Sequence, residues 1–317
     1  MPARPSPSTS MAIPEALVTA LASLLGDRAR TDEPLARHTS LRIGGPADLL
    51  VLPDTPAELG AVLRTAGAHA VRVTLLGGGS NLLVADGGIP GIVVKLGRGF
   101  AHLAWRERES GCEVRAGAAV RFGRLARAAV ARGLSGLEYA EGIPGTVGGA
   151  LFMNAGAYGG EVAAAVASVE GVTAGGDILS LDGDALAFRY RRAELAPGFV
   201  VTAVRFRLRR DGAAAVRGRM EDARTRRIAA QPHGQANAGS IFKNPPGDHA
   251  GRLIDVAGLK GARAGRARIS ERHANFIVNE GGACAVDVKA LMDVAQRVVW
   301  EQSGVWLEPE VRLLGSW

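Results

Sequence analysis

The residues of this sequence that are best suited to chemistry form one short run, Gly239–Asn244, in the last quarter of the chain. This run brings a hydroxyl, an ammonium and an amide together at the expected end of a loop. Ser240 could donate a proton, while Lys243 could hold an anionic group and Asn244 an amide or a phosphate. A lone serine is more often a turn residue or a helix cap. A hydrolytic triad stays open but lacks support, because no histidine lies in this run and no Gly-x-Ser-x-Gly elbow occurs.

A glycine-rich run far upstream, Gly77–Asn81, follows an apolar segment that reads as a strand. Glycines at such a position let peptide N–H groups approach a phosphate without interference from a Cβ atom. The run is not a Rossmann fingerprint, because a third glycine is missing and the following Leu82–Val84 reads as a strand instead of a helix. A P-loop is excluded, since no glycine in the chain precedes a lysine. A tight hairpin turn is an equally good interpretation of this run alone.

A second glycine-rich run, Gly142–Gly149, continues through Asn154 and Gly156. A stretch this long reads as a structureless loop, and such loops in compact domains are usually functional. The alternative is a packed glycine-rich crossover between strands, which costs conformational entropy unless something must approach closely. Two runs of this kind favour one extended cofactor held by backbone groups.

Two further segments with polar side chains attract no attention by composition alone. Tyr190 and Arg191 lie in a basic run that is typical of an exposed strand end. Glu310 follows Pro309, and a carboxylate beside a proline is typical of an edge strand that faces water.

The elements that would position these residues follow from apolar periodicity. Helices alternate with strands over the first hundred residues, and later strands alternate in a way typical of antiparallel pairs, which together indicate an α+β fold. A charged turn at 209–212 is the best candidate for a boundary before a separate C-terminal domain. The predicted helices are 14–25, 56–66, 121–132, 216–230, 252–257 and 286–302. The predicted strands are 49–52, 71–76, 92–96, 112–116, 168–172, 200–208, 275–278 and 310–314.

The composition of the chain limits the classes of function. Its 317 residues, 47% of them hydrophobic, can bury a large core, and its two cysteines have no metal or disulfide spacing, so we expect no metal and a cytoplasmic protein. Residues 1–13 read as a disordered tail with Met11 as an alternative start, and no signal peptide or membrane span is expected. The net charge of +7 comes mostly from scattered arginines, which argues against a nucleic-acid surface.

Taken together, these motifs resemble those of the bacterial UDP-N-acetylenolpyruvoylglucosamine reductases. The similarity covers everything but the first dozen or so residues, in the family's order. The two glycine runs are shared with the wider class of FAD oxidoreductases. The run Gly239–Asn244, which we call the serine loop, and the glutamate motif Glu308–Val311 single out this reductase. The matching segments are His38–Gly45, Gly77–Asn81, Gly142–Gly149, Asn154–Gly159, Tyr190–Arg191, Gly239–Pro245, Leu259–Gly261, His273–Asn279 and Glu308–Val311.

The resemblance implies an α+β fold of the PCMH/vanillyl-alcohol-oxidase type, in which two subdomains hold FAD and a C-terminal α+β domain binds substrate. It implies subdomains at 14–100 and 101–210 and a substrate domain at 211–317. FAD would be bound non-covalently, since the glycine runs contain no histidine, and reduced by NADPH. The substrate would be UDP-N-acetylglucosamine enolpyruvate, with no nucleic-acid partner and a monomer as the default state. The compact chain looks like the Gram-positive-like, type II form of the family.

The resemblance also implies a role for each site residue. Hydride would pass from flavin N5 to the enolpyruvyl methylene carbon, and Ser240 would protonate the carbon that bears the carboxylate. Arg191 and Glu310 would stabilise the charge that this carboxylate takes up, which requires a glutamate with a raised pKa. The expected substrate-binding residues are Tyr190, Lys243 and Asn244. The expected cofactor-binding residues are Gly77, Gly78, Gly79, Ser80, Asn81, Gly142, Gly145, Thr146, Gly148, Gly149, Asn154, Gly156 and Ile277.

Two other functions remain open at this point. A sugar or lactone oxidase of the same fold would have similar glycine runs but would not explain Ser240, Lys243 and Glu310 together. A nucleotide-sugar or nucleic-acid binding protein without redox chemistry would fit the basic charge and would be colourless when purified.

Overall fold

A computed structural model describes residues 13–317 of the chain. Most of the predicted N-terminal tail, including Met11, lies outside the described residues. Ile13, the last residue of that prediction, is partly buried against the core around the first helix.

Helices in the described part of the chain begin and end close to the predicted positions. Each predicted helix or strand has an observed counterpart whose ends lie within about three residues. The second helix begins with a capping box, in which the Thr55 hydroxyl accepts from the backbone N–H of Glu58 and the Glu58 carboxylate accepts from that of Thr55. The helices are α1 Glu15–Leu25, α2 Pro56–Ala68, α3 Phe122–Val130, α4 Val147–Phe152, α5 Ala213–Ala230, α6 Ala250–Val256 and α7 Ala285–Ser303.

The strands form three larger sheets and three two-stranded ones among residues 13–317. Strands in the first half of the chain are β1 Ala29–Pro34, β2 Pro46–Val51, β3 Val73–Leu75, β4 Leu82–Val84, β5 Ile89–Val94, β6 Leu103–Arg108, β7 Gly111–Gly117, β8 Leu134–Ser135, β9 Gly156–Ala157 and β10 Gly160–Glu161. Those in the second half are β11 Val166–Val172, β12 Ile178–Asp182, β13 Ala187–Arg189, β14 Arg192–Glu194, β15 Val200–Arg210, β16 Ala236–Asn237, β17 Arg263–Ala264, β18 Ala267–Ile269, β19 Ile277–Asn279 and β20 Arg312–Leu314.

The first sheet has the strand order β1-β2-β5-β3 and is mixed, because β5 pairs in parallel with β2 and β3 while β1 is antiparallel to β2. Its central strand β5 is apolar along its whole length, as expected for a parallel strand covered on both faces. Leucines of α1 and α2 pack against one face of β2 and β5. This packing holds β3 and the glycine run after it in place.

The second sheet is antiparallel, with the order β12-β11-β15-β7-β6 and β8 paired to the end of β15. This confirms the antiparallel pairing predicted for 168–172 and 200–208. The apolar face of α3, with Phe122, Leu125 and Ala129, is fully buried in the core of this sheet.

The glycine-rich stretch after residue 142 contains a helix, so the prediction of a structureless loop there is wrong. α4 begins at its N-cap Thr146, whose hydroxyl accepts a hydrogen bond from the Gly149 N–H at 3.4 Å. Val147 and Leu151 are fully buried in the core of the second sheet. This cap and this burial outweigh the low helix propensity of the two glycines in α4.

The end of the chain returns to its beginning. The third sheet, β16-β19-β18-β17, packs with α6 and α7 in a core that also includes Leu41, Ile43 and Leu83 from the N-terminal part. The last strand β20 pairs in parallel with β4, which directly follows the first glycine run. The hairpin interpretation of that run is therefore wrong, since β3 and β4 pair with different strands.

Strands of the three larger sheets lie within 29–94, 103–210 and 236–279. The domain limits at 100 and 210 stay predictions, and the pairing of β4 with β20 means that the N- and C-terminal parts share a sheet.

Candidate active site

The two glycine runs lie directly against each other. A methyl group on Gly78 would lie 2.6 Å from the Gly145 Cα, and one on Gly77 would lie 3.2 Å from the Thr146 Oγ1. The Ser80 hydroxyl donates to the Pro144 carbonyl at 3.2 Å. Gly145 has a φ of 109°, a backbone conformation that side chains disfavour. The two backbones therefore meet at a distance that only glycine permits.

This contact predicts that Gly78→Ala separates the two runs. We expect a loss of about 1–3 kcal/mol in unfolding free energy, because the methyl group cannot fit without a backbone shift. We also expect loss of bound FAD if the two runs hold it. Thermal unfolding and the flavin-to-protein absorbance ratio measure both effects.

Gly67→Ala is the matched control, since a methyl group there would meet nothing within 4 Å and Gly67 lies in α2. It should raise stability by about 0.5–1 kcal/mol through helix propensity and leave flavin content unchanged. Equal flavin content in the two variants would contradict the assignment of these runs to FAD.

The serine loop is held by a buried asparagine. Asn275 receives the Phe242 N–H on its Oδ1 at 2.9 Å, and its Nδ2 donates to the Phe242 carbonyl at 2.8 Å. The Ile241 N–H donates to the backbone carbonyl of Asn275 at 2.9 Å. Both Asn275 and Phe242 are almost fully buried. The backbone just after Ser240 is therefore fixed on this side.

The other side of the serine loop contacts the segment that carries Glu310. The Glu310 N–H donates to the Ile241 carbonyl at 2.8 Å, and the Lys243 N–H donates to the Glu308 carbonyl at 2.9 Å. The strand predicted at 310–314 is observed as β20, which begins at Arg312. Glu310 therefore precedes this strand and does not lie on an edge strand as the sequence suggested. These bonds place Ser240 and Glu310 on neighbouring backbone segments.

Asn275→Ala is expected to destabilise the protein and loosen the serine loop. It leaves the buried N–H and carbonyl of Phe242 without partners, at a cost of about 1–3 kcal/mol for each group. Denaturant unfolding measures this loss. Gln302→Ala, which truncates an exposed amide, is the control and should change stability by less than about 0.5 kcal/mol. A similar small change in Asn275→Ala would show that the two bonds do not hold the loop.

Arg191 and Glu310 form an ion pair. The Arg191 Nε lies 3.0 Å from a Glu310 carboxylate oxygen, and the two side chains are only 24% and 14% exposed. The Nε–H is not aligned with that oxygen, so the contact is electrostatic and not a hydrogen bond. Arg191 Nη1 donates to the Gly156 carbonyl at 3.1 Å, and the guanidinium lies 5.0 Å from the centre of the Tyr190 ring.

The turn that presents Arg191 is strained. Tyr190 and Arg191 form the two-residue connection between β13 and β14, and Arg191 has a φ of 59°. A non-glycine residue in this conformation is uncommon and is typical of functional sites.

Burial raises the pKa of the Glu310 carboxyl above its ordinary value of 4.5, although Arg191 and Lys243 act in the opposite direction. The direction agrees with the raised pKa expected for this residue. Asn81 fixes the segment that carries Glu310. Its side-chain Nδ2 donates to the Glu310 backbone carbonyl at 3.0 Å, and its backbone carbonyl accepts the Arg312 N–H at 3.0 Å. Asn81 thus joins the first glycine run to Glu310.

Several of the predicted site residues have their polar groups engaged within the protein. Asn154 is buried; its amide donates to Glu161 Oε2 at 3.1 Å and to the Arg189 carbonyl at 3.2 Å, and its oxygen accepts the Ala163 N–H at 3.0 Å. Its side chain is therefore structural, and its backbone N–H is also engaged, since it donates to the Leu151 carbonyl at 2.9 Å. Ile277 is buried in the C-terminal core, so its side chain packs there.

The side chains of Lys243 and Asn244, which follow the serine, differ in how many of their polar atoms are already bonded within the protein. The Asn244 oxygen accepts the N–H of Ala250 at 3.1 Å, at the start of α6, which leaves the amide nitrogen for a ligand. Lys243 pairs with Glu308 through its ammonium.

Asn275 is the residue that the sequence reasoning missed. It lies in the matched segment His273–Asn279, and the available signal was a lone amide just before the apolar residues of a strand.

Two further properties concern the described residues. Within 13–317, no three His, Cys, Asp or Glu side chains are grouped so that they could hold a metal ion. None of the helices in this part of the chain combines the length and the apolar character needed to cross a membrane.

The sheets, the converging glycine runs and a family match together define an FAD-binding flavoprotein. A family model described as an FAD binding domain matches residues 47–182, and a second, for the C-terminal domain of UDP-N-acetylenolpyruvoylglucosamine reductase, matches residues 231–314.

Similar proteins give the more specific result. A UDP-N-acetylenolpyruvoylglucosamine reductase 2 of Symbiobacterium thermophilum is 48% identical over 93% of this chain and 96% of its own length. The reductase of Myxococcus xanthus is 47% identical over 95% of this chain and 97% of its own. The crystal structure of the reductase from Thermus caldophilus matches with a TM-score of 0.76 and 40% identity, covering 89% of this chain and 97% of that one. The chain belongs to the UDP-N-acetylenolpyruvoylglucosamine reductase family.

Proposed function

We propose that this protein reduces UDP-N-acetylglucosamine enolpyruvate to UDP-N-acetylmuramate in the synthesis of peptidoglycan precursors, with FAD as cofactor and NADPH as reductant. The names of its close relatives support the reaction. The observation that carries the proposal is the pairing of Arg191 with a largely buried Glu310 next to the serine loop. As expected for a chain whose cysteines have no paired spacing, we place the enzyme in the cytoplasm.

The residues fit FAD. At the contact of the two glycine runs, a Cβ on Gly78 would meet the Gly145 backbone and a Cβ on Gly145 would meet the Ser80 hydroxyl oxygen, so both positions need glycine. Such a surface suits a ligand held by peptide groups instead of side chains. We propose that both runs hold FAD, with Gly77 to Asn81 on one side and Gly142 to Gly149 on the other. When bound, FAD supplies the hydride that it receives from NADPH.

Arg191 and Glu310 would stabilise the charge that develops on the substrate. An enol ether is electron-rich, so its methylene carbon accepts hydride only if the adjacent carboxylate takes up negative charge. The Arg191 guanidinium is always cationic and suits a carboxylate. Glu310 can donate a hydrogen bond to the same group only while it is protonated, and its burial favours that form.

Ser240 would complete the reaction by donating a proton to the carbon that bears the carboxylate. A serine hydroxyl is a weak acid, so it protonates only a strongly basic carbon. The rigid backbone between Asn275 and the Glu310 segment supports a fixed position for this hydroxyl. Tyr190, Lys243 and the free amide of Asn244 would bind the remainder of the substrate.

Visible absorbance under anaerobic conditions tests this proposal. NADPH should bleach the flavin band of the purified protein, and UDP-N-acetylglucosamine enolpyruvate should then restore it. Recovery with oxygen alone would favour a flavin oxidase of the same fold. A protein without flavin, even after addition of FAD, would overturn the proposal and favour a binding protein without redox chemistry.

A further inference from the structure

Arg227 on α5 is enclosed between a glycine run and an aromatic ring. A methyl group on Gly142 would lie 2.7 Å from the Arg227 Cδ, so this glycine makes room for the arginine side chain. The guanidinium carbon lies 5.7 Å from the centre of the Tyr158 ring. Nη1 donates to the Gln231 side-chain oxygen at 3.3 Å. Within residues 13–317, the buried Nε of Arg227 has no hydrogen-bond partner.

No carboxylate in the described chain forms a salt bridge with this cation. Glu141, the one carboxylate among residues 13–317 that acts electrostatically on Arg227, accepts two hydrogen bonds from Arg127 Nη1, at 3.0 and 2.9 Å. Burial lowers the pKa of Arg227; the charge of Arg191 acts in the same direction, while Tyr158 and Glu141 act in the opposite one. The two arginines contact the same short segment, because Arg191 donates to the Gly156 carbonyl and Arg227 lies over the Tyr158 ring. Of these two, only Arg191 forms a salt bridge with a carboxylate of the described chain, that of Glu310.

A partly buried guanidinium with an unpaired N–H and a like-charged neighbour is unfavourable in the absence of an anion. Its planar fork matches the oxygens of a phosphate or a carboxylate. In the proposed reaction Arg191 and Glu310 bind the substrate carboxylate. The other anionic group of a nucleotide sugar is its diphosphate, and NADPH also carries one.

We propose that Arg227 binds a phosphate oxygen of the nucleotide ligand near Arg191. This inference rests on the proposed function and adds a specificity residue to it. The ligand is either the nucleotide sugar or NADPH, since both carry a diphosphate. Tyr158, whose ring lies below the guanidinium, is exposed, so a ligand can reach this position from solvent.

The test uses the full-length protein with FAD and the variants Arg227→Met and Arg227→Lys. Arg226→Met is the matched control, because Arg226 precedes Arg227 on the same helix and is exposed. Three quantities are measured: flavin content, the dependence of flavin reduction on NADPH concentration, and the dependence of reoxidation on nucleotide-sugar concentration. Binding of UDP to the oxidised protein, followed by perturbation of the flavin spectrum, gives a readout without turnover.

We expect Arg227→Met to retain flavin and to raise the KM for its ligand by roughly 10- to 100-fold, with kcat changed by less than about threefold, because one charge-assisted bond is lost from binding. Arg227→Lys should lie between this variant and the wild type, and Arg226→Met should match the wild type. A rise in KM for the nucleotide sugar alone, together with weaker UDP binding, would show that Arg227 binds a phosphate oxygen of the substrate. A rise in KM for NADPH alone would show that Arg227 binds a phosphate oxygen of the reductant. A rise in both KM values would show that the two ligands share one phosphate position.

Unchanged KM values for both ligands would overturn the proposal, and so would a loss of flavin that accounts for all of the change. Both results differ from a failure of the proposed function, in which the wild-type protein itself would not be reoxidised by the nucleotide sugar.

Discussion

Ser240→Ala is expected to slow reoxidation of the reduced flavin by the nucleotide sugar by roughly 10²- to 10⁴-fold, the range over which a positioned proton donor acts. Flavin reduction by NADPH should stay nearly unchanged, because that half-reaction needs no proton at the substrate carbon. Stopped-flow absorbance at the flavin band measures the two half-reactions separately.

The controls for this prediction preserve the loop. Ser180→Ala removes an exposed hydroxyl on β12 and should leave both half-reactions unchanged. Ser240→Cys retains a proton on a more acidic group and should fall between the alanine variant and the wild type. Equal losses in both half-reactions of Ser240→Ala would show that the residue supports the structure or the flavin and does not donate the proton.

Glu310→Ala is expected to slow reoxidation by roughly 10²- to 10³-fold, the usual effect of removing one preorganised donor from a developing negative charge. The conservative change Glu310→Gln keeps a neutral donor and should retain part of the rate. The pH dependence of the reoxidation rate distinguishes both variants from the wild type, because only the wild type has a carboxyl group at position 310 that can ionise.

The sign of the pH effect follows from burial, which raises the pKa of Glu310 above 4.5. The protonated carboxyl is the active form in our proposal, so the reoxidation rate of the wild type should fall as pH rises through this raised pKa. Glu310→Gln cannot ionise and should lack that decrease. Glu301→Gln, which changes an exposed carboxylate at the end of α7, should keep it. A decrease that persists in Glu310→Gln would assign the titration to another group.

The same linkage affects stability. A carboxyl with a raised pKa in the folded state binds its proton more tightly than in the unfolded state. Its stabilising contribution is fully present below the unfolded value and is lost as pH rises through the folded value. The wild type should therefore lose stability relative to Glu310→Gln over that interval, which unfolding measured at several pH values can check.

Local patterns were sufficient to predict most elements of this fold. Apolar periodicity located α3 and β15, because it records which face of each element is buried. It failed at α4, where two glycines suppress the helical signal and the helix depends on the Thr146 cap and on burial of Val147 and Leu151. Burial against other elements is not visible in the local sequence.

The candidate site depended on contacts between distant parts of the chain. Asn81 and Glu310 are 229 residues apart in sequence and are joined by a hydrogen bond, because β20 adds in parallel to β4. Glu310 looked like an exposed edge carboxylate, and only the packing of that segment against the serine loop buries it and raises its pKa.

From the sequence alone, the glycine runs and the serine loop identified the kinds of chemistry available, since those depend on residue types and short spacings. The folded chain decided which residues meet, that Asn275 holds the serine loop and that Asn154 is structural. The physical reason is that a strand's periodicity specifies its buried face but not its partner, and the partner sets the distances and the local dielectric on which this chemistry depends.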